Sequence, residues 1–340
     1  MSGELLVSRV DVTDDAALAA WHGVVRRAEQ HDRGENATIW TLPELTAELR
    51  SGRRTRSTTA YVETVDGEAV AFWMTILPML DNTASADIGV AVDPAHRRRG
   101  HGSAMLAHLL AEVSAQGRTT IHAEVDWPWS AATDGAGSPG VEFARRHGFA
   151  LGNLEVMRVL RLPVADDVLD ALQPSLGDYS VRAWVGPVPE DLVERWAVLT
   201  ASLTAEAPTG DLHVEPEVAE VANVREAEQI LEAQGRTAYR AVALAPDGIA
   251  VGYTEVVTTV HEPGRAYQWG TLVHGDHRGH RLGLALKLAA LRLLQTSVGP
   301  AGPVDHVVTW NAESNIHMVG VNERLGFVPV ERCGVFERRL

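Results

Sequence analysis

Residues 90–106 read VAVDPAHRRRGHGSAML, and the meaning of the whole chain turns on them. A β-prone run, Val90–Val92, leads through Pro94 into Arg97-x-x-Gly100-x-Gly102. An apolar stripe of Met105, Leu106, Leu109, Leu110 and Val113 then follows at helical spacing. Glycines let the backbone approach an anion closely. A helix N-terminus adds free N–H groups and the positive end of the helix dipole. The stretch therefore predicts a strand–loop–helix cradle for a diphosphate, with Arg97, Arg98 and Arg99 adding positive charge. No Gly-Lys-Ser/Thr follows, so it is not a Walker A loop. It lacks the three-glycine spacing of a dinucleotide fingerprint and sits on a fourth strand rather than a first.

The same landmarks recur further along. Asp66-Gly67 matches Asp247-Gly248 at an offset of 181, and that offset carries His96-Arg97 onto His277-Arg278 and Gly102 onto Gly283. Gly148-Phe149 is answered by Gly326-Phe327. Repeated landmarks in one order imply a duplicated α/β domain. Each half predicts an opening strand (5–12, 179–184), amphipathic helices (16–29 and 43–50; 191–205 and 217–233) and a hairpin turning at Asp-Gly. A fourth strand, the glycine loop and its helix, a fifth strand, a short helix and a last strand complete it. The boundary is expected in the Pro- and Gly-bearing stretch after Leu162. That gives domains at 1–163 and 179–340 and a linker at 164–178, with a helical turn within 165–172.

Composition narrows the function. The 340 residues carry 45 Asp or Glu and 30 Lys or Arg, a net charge of −15, which argues against nucleic acid and anionic membrane as partners. The most apolar run, 282–294, is too short to span a bilayer. The start, MSGELLVSRV, does not read as a signal peptide. A cytoplasmic protein is expected. The single cysteine, Cys333, excludes an internal disulfide. His274, His277 and His280 show no tetrahedral partner set, so no metal is expected. Lys287 is the chain's only lysine.

RRRGHG (97–102) and RGHRLG (278–283), with APTGDL (207–212), TWNAESN (309–315) and VNERLGF (321–327), resemble the tandem GNAT superfamily of acetyl-CoA-dependent N-acetyltransferases from actinobacteria. The resemblance implies an α/β (α+β) fold of two tandem domains, each a mixed, mostly antiparallel sheet flanked by helices. It implies acetyl-CoA as donor and direct transfer to the primary amine of a small molecule. Amino sugars, amino acid derivatives and amine antibiotics fit as acceptors, and a mycothiol-synthase-like enzyme is one sub-case. A non-catalytic acyl-CoA-binding regulator or scaffold is the alternative. Two copies in one chain suit a monomeric pseudo-dimer or a homodimer.

Site residues follow from the same resemblance. Strands four and five would splay around the pantetheine arm, with the backbone of Val90 and Val92, or Leu272 and Val273, pairing with it. The phosphate loops would be Arg97, Arg98, Arg99, Gly100, His101 and Gly102, and Arg278, Gly279, His280, Arg281, Leu282 and Gly283. Arg281 stands where a glycine is expected, and a negative φ would let its N–H still serve. Asp87 is the candidate base of the first half and Glu255 of the second, since only a free amine is nucleophilic. The family's thiolate-donating tyrosine is replaced by Ala144 and Asn322; Asn322 can give a hydrogen bond but not a proton. Asn315 is a candidate cofactor contact, or a helix N-cap. Asp211 and Trp127 are candidates for the acceptor pocket.

Overall fold

The computed structural model describes residues 5–297 and 299–340, which form two compact units. The reading of the first four residues falls outside them. The first unit takes the chain up to Asn153 together with Asp211–His213 and Arg332–Leu340. The second takes Leu154–Gly210 and Val214–Glu331.

In the first unit β1 (Leu5–Arg9), β2 (Arg56–Val65), β3 (Glu68–Pro78) and β4 (Ser85–Val92) are successive antiparallel neighbours. β4 then runs parallel to β5 (Thr120–Pro128). The β2–β3 hairpin turns on Asp66 and Gly67, both at positive φ (51° and 84°), the conformation that Asp-Gly suits. Helix α1 (Asp15–Arg33) is capped by Asp14, whose carboxylate accepts from the N–H groups of Ala16 and Ala17. Its apolar face buries Leu18, Trp21, Val24 and Val25 against Phe72 of β3, and Trp21 stacks on the Phe72 ring at 4.6 Å. Thr41 and Glu44 form a capping box on α2 (Leu42–Arg50). Helix α3 (His101–Ala115) follows β4 and buries Met105, Leu106, Leu109 and Val113. The short α4 (Pro139–Arg146) follows β5.

The second unit repeats this order. β7 (Ser180–Val185), β8 (Arg236–Leu244), β9 (Ala250–Thr259) and β10 (Gly264–Val273) are antiparallel neighbours, and β10 runs parallel to β11 (Val304–Ala312). Its helices are α6 (Val193–Ala201), the single turn α7 (Leu203–Glu206), α8 (Val221–Ala233), α9 (Leu282–Thr296) and α10 (Ile316–Leu325). The helical turn expected in the linker is α5 (Asp166–Leu172). Its Leu169 is fully buried with Leu160, Leu288, Leu291 and Leu325, so α5 is part of the second core.

The closing strands are exchanged. β6 (Ala150–Arg161) ends the first half of the sequence, yet from Glu155 to Arg161 it pairs with β11 in the second unit. β12 (Val328–Arg339) ends the second half, yet from Arg332 it belongs to the first unit, beside β5. The sequence boundary at 163/164 therefore falls inside the second unit.

Candidate active site

The two glycine loops share one backbone. In the first, Arg98 and Gly100 have positive φ (64° and 96°). In the second, Gly279 and Arg281 do (87° and 57°). These positions match at the 181 offset, so both loops place left-handed residues at the same two sites and distribute one glycine and one arginine over them in opposite order. Arg281 is thus left-handed, which corrects the expectation of a negative φ. The cause is geometric: residue 281 is the N-cap of α9, as Gly100 is the N-cap of α3, and both must turn the chain the same way into the helix. Alternating left- and right-handed residues point successive N–H groups into one concavity that holds anions. Each loop accepts one arginine at about 1–2 kcal/mol of strain to do so.

The first arginine of each loop has another task. Arg97 gives its Nε–H to Val92 O (3.1 Å), and its Nη1 and Nη2 groups to Asp32 at 2.7 and 2.8 Å. Arg278 repeats this with Val273 O (3.1 Å) and Glu206 (2.6 Å). Both guanidinium groups therefore tie the loop to helices that follow the opening strand, Arg97 to the end of α1 and Arg278 to α7. Arg98, Arg99, His280 and Arg281 are exposed. The His101 side chain points inward, its Nδ1 2.9 Å from Glu63 Oε1.

Each unit also has a wedge. β4 and β5 pair from Ser85–Thr120 to Ile88–Ala123 and no further, so Gly89–Val92 is bonded on its β3 side only. β10 and β11 pair up to Gln268–Thr309. Val90 and Val92 lie on the stretch of β4 beyond its pairing with β5, and Leu272 and Val273 on the stretch of β10 beyond its pairing with β11. β10 bulges between Gln268 and Thr271, where β4 has no irregularity.

One matched rung close to each mouth differs. In the first unit Asp87 of β4 is paired in register with His122 of β5, and Oδ1 lies 3.5 Å from His122 Nδ1. Asp87 is 52% exposed while His122 is nearly buried, so the carboxylate lies on the solvent side of the ring. The other ring nitrogen, Nε2, is 3.3 Å from Glu337 Oε2. Burial works against the imidazolium, but Asp87 and Glu337 outweigh it and hold His122 above the usual histidine range. In the second unit the same rung is Gln268–Thr309, neutral and buried, with Thr309 Oγ1 donating to Gln268 O at 3.2 Å.

Several expected side chains are committed elsewhere. Glu255 accepts a very short hydrogen bond from Arg240 Nε. Arg240 is buried and also bonds Glu228 at 3.2 Å, so Glu255 is half of a structural ion pair rather than a free base. Asn322 is wholly buried. Its Oδ1 accepts from Lys287 Nζ (2.8 Å) and its Nδ2 donates to Asn311 Oδ1 (3.0 Å), which removes it as a donor to the thiolate. Lys287 is buried over the Phe327 ring, and burial plus nearby Arg158 push its amine down to about 7. Asn315 caps α10 through Met318 N–H (3.2 Å). Trp127 is 1% exposed, with Nε1 bonded to Ala132 O, so it is core and cannot line a pocket. Asp211 joins the first unit rather than the second, its N–H bonded to Gly152 O (2.8 Å). Among the described residues no group of three or more His, Cys, Asp or Glu is placed to hold a metal ion, and no helix is long and apolar enough to cross a membrane.

Residues 25–149, the body of the first unit, match the acetyltransferase (GNAT) family model. A solved tandem GNAT protein from the clavulanic acid biosynthesis pathway superposes with a TM-score of 0.80 at 27% identity, covering 99% of this chain and 98% of that one. The first unit thus carries a GNAT acetyltransferase domain, and the whole chain is similar to a tandem GNAT protein. A mycothiol acetyltransferase from Salinispora tropica is 29% identical over 256 residues, 74% of this chain and 72% of that protein. A GCN5-related N-acetyltransferase from Sphaerobacter thermophilus shares the fold (TM-score 0.64, 15% identity, 98% and 95% covered). GNAT enzymes use acyl-CoA, and the first glycine loop of this chain has room for that donor. The cradle at Gly100 is open, with no atom within 4 Å of where a Cβ would stand, and the wedge leads away from it along β4.

Sequence reading missed His122, Glu337 and the two loop clamps. His122 carries no motif; only the register of β4 against β5 sets it opposite Asp87.

Proposed function

We propose that the first unit is an N-acetyltransferase that moves an acetyl group from acetyl-CoA to the primary amine of a small molecule, with Asp87 as the residue that meets the amine. The observation that carries this is the Asp87–His122 rung, one pair from the mouth of the first wedge. Asp87 binds the ammonium by charge, and the Asp87–His122 pair takes its proton. The free amine then attacks the thioester carbonyl: a C–N bond forms, the C–S bond breaks, and the extra proton on nitrogen passes through water to the departing thiolate, because Ala144 offers no donor. Gly100, His101 and Gly102 would hold the diphosphate through backbone N–H groups, and Val90 and Val92 the pantetheine arm. The chain's −15 charge favours a cationic acceptor such as an amino sugar, an amino acid derivative or an amine antibiotic.

The second unit, with Gly279, Arg281 and Gly283 in its loop, is read as a non-catalytic acyl-CoA-binding partner. Its Gln268–Thr309 rung cannot accept a proton near neutral pH, and Glu255 is held by Arg240. The test is incubation with acetyl-CoA and a panel of amines, read by thiol release. Turnover that depends on Asp87 supports the reading. Tight acetyl-CoA binding with no turnover on any amine overturns it.

A further inference from the structure

The first unit's rung is completed from the far end of the sequence. Glu337 of β12 stands behind His122, its Oε2 3.3 Å from Nε2. Glu337 in turn accepts the His213 backbone N–H at 2.9 Å, His213 Nδ1 lies 3.0 Å from its Oε1, and Arg339 Nε lies 3.3 Å away. Both Glu337 and His213 lie in the second half of the chain, yet both belong to the first unit. His213 sits in the APTGDLH stretch, anchored where Leu212 packs on Gly152 and Asp211 N–H bonds Gly152 O. The titratable and charged groups around the ring are thus Asp87 from β4 and Glu337 from β12, the latter loaded by His213 and Arg339.

We infer that Glu337 and His213 are positioning residues for the Asp87–His122 pair, so that the second half of the sequence is needed for proton transfer in the first unit whether or not its own wedge turns over. This rests on the reading of Asp87 as the group that meets the amine. Glu337 holds the Nε2–H tautomer of a neutral His122, which leaves Nδ1 as the acceptor facing Asp87. Its negative charge raises the ring's basicity. His213 and Arg339 moderate that charge: burial raises the Glu337 carboxyl, but the His213 N–H, His122, the His213 ring and Arg339 together bring it down to about 2.

Two variants act in opposite directions. Glu337→Gln removes the negative charge behind the ring, so His122 loses its proton at lower pH. At pH 6 the variant keeps about threefold more of its plateau kcat/KM than the wild type does. His213→Ala frees Glu337 from one donor and moves the acid limb to higher pH. Its side chain is 63% exposed, so this variant folds even should Glu337→Gln fail to. NMR titration of the His122 ring reads the same displacements without turnover, which separates failure of this inference from failure of the acetyltransferase reading. Opposite displacements in the two variants, with Tm close to wild type, support the roles. A His122 titration and an acid limb unmoved in both, or in His213→Ala when Glu337→Gln does not fold, overturn them.

Discussion

The two glycine loops and the two strand rungs are related by one duplication and have diverged differently. The loops keep their backbone while their residues trade places: Arg98 and Gly100 in the first, Gly279 and Arg281 in the second, with positive φ at all four. The rungs keep their register but not their chemistry, Asp87–His122 in the first unit and Gln268–Thr309 in the second. Anion binding by backbone N–H groups depends on conformation, so side chains can drift there at a modest cost in strain. Proton transfer depends on the side chains themselves, so one unit can lose it while its fold persists.

The largest expected effect separates the rungs. Asp87→Asn keeps the shape and removes the charge, and kcat/KM for thiol release falls by roughly 10²-fold or more. Gln268→Glu leaves it within about twofold, because the second rung takes no part. Equal losses would end the contrast between the units.

A smaller effect separates the clamps. Asp32→Asn weakens the tie between α1 and the first loop. Because Arg97 is 30% exposed and the pair is only partly shielded, we expect a several-fold rise in the KM for acetyl-CoA, greater at low salt. Glu206→Gln, which loosens Arg278 in the same way, leaves turnover unchanged and lowers acetyl-CoA affinity only at the second unit. Calorimetric titration distinguishes the two.

The buried amine gives the second unit its own pH dependence. Lys287 titrates at about 7 in the folded protein and near 10.4 in an unfolded chain. Between those values the unfolded chain binds more protons, so stability rises with pH across that window. Lys287→Met flattens the rise in Tm of the second unit between pH 7 and 10. Leu106 stands at the equivalent position of the first unit, so no such rise arises from this position there.

The smallest effect concerns strain. Arg281→Gly relieves about 1–2 kcal/mol of left-handed strain but gives the unfolded chain more freedom, so net stability changes by less than about 1 kcal/mol. Gly100→Ala introduces the strain that Arg281 already carries and destabilises the first unit by a similar amount. Thermal melts of both variants check this pair.

What the sequence shows and hides follows from the range of each interaction. The glycine loop, its helix and the Asp-Gly hairpins are local, and all appear where periodicity and turn chemistry put them. The duplication shows as a fixed offset because it preserved those local signals. The exchange of β6 and β12 is invisible to any local pattern, since a strand's sequence does not name its neighbour. His122, Glu337 and His213 meet only through that exchange and through strand register. The depth of Trp127 and Asn322 is not written in the local sequence. Burial, and for Asn322 the distant partner Lys287, decided their roles.

The most direct test sets a carboxylate in each cradle at matched positions. Gly100→Glu and Arg281→Glu both occupy left-handed N-cap sites, and Gly100 has open space around it, so each puts negative charge where a diphosphate would lie. With acetyl-CoA and an accepted amine, Gly100→Glu should abolish thiol release while Arg281→Glu retains it and loses only acetyl-CoA binding at the second unit. Turnover that survives Gly100→Glu and disappears in Arg281→Glu would contradict the assignment of the reaction to the first unit.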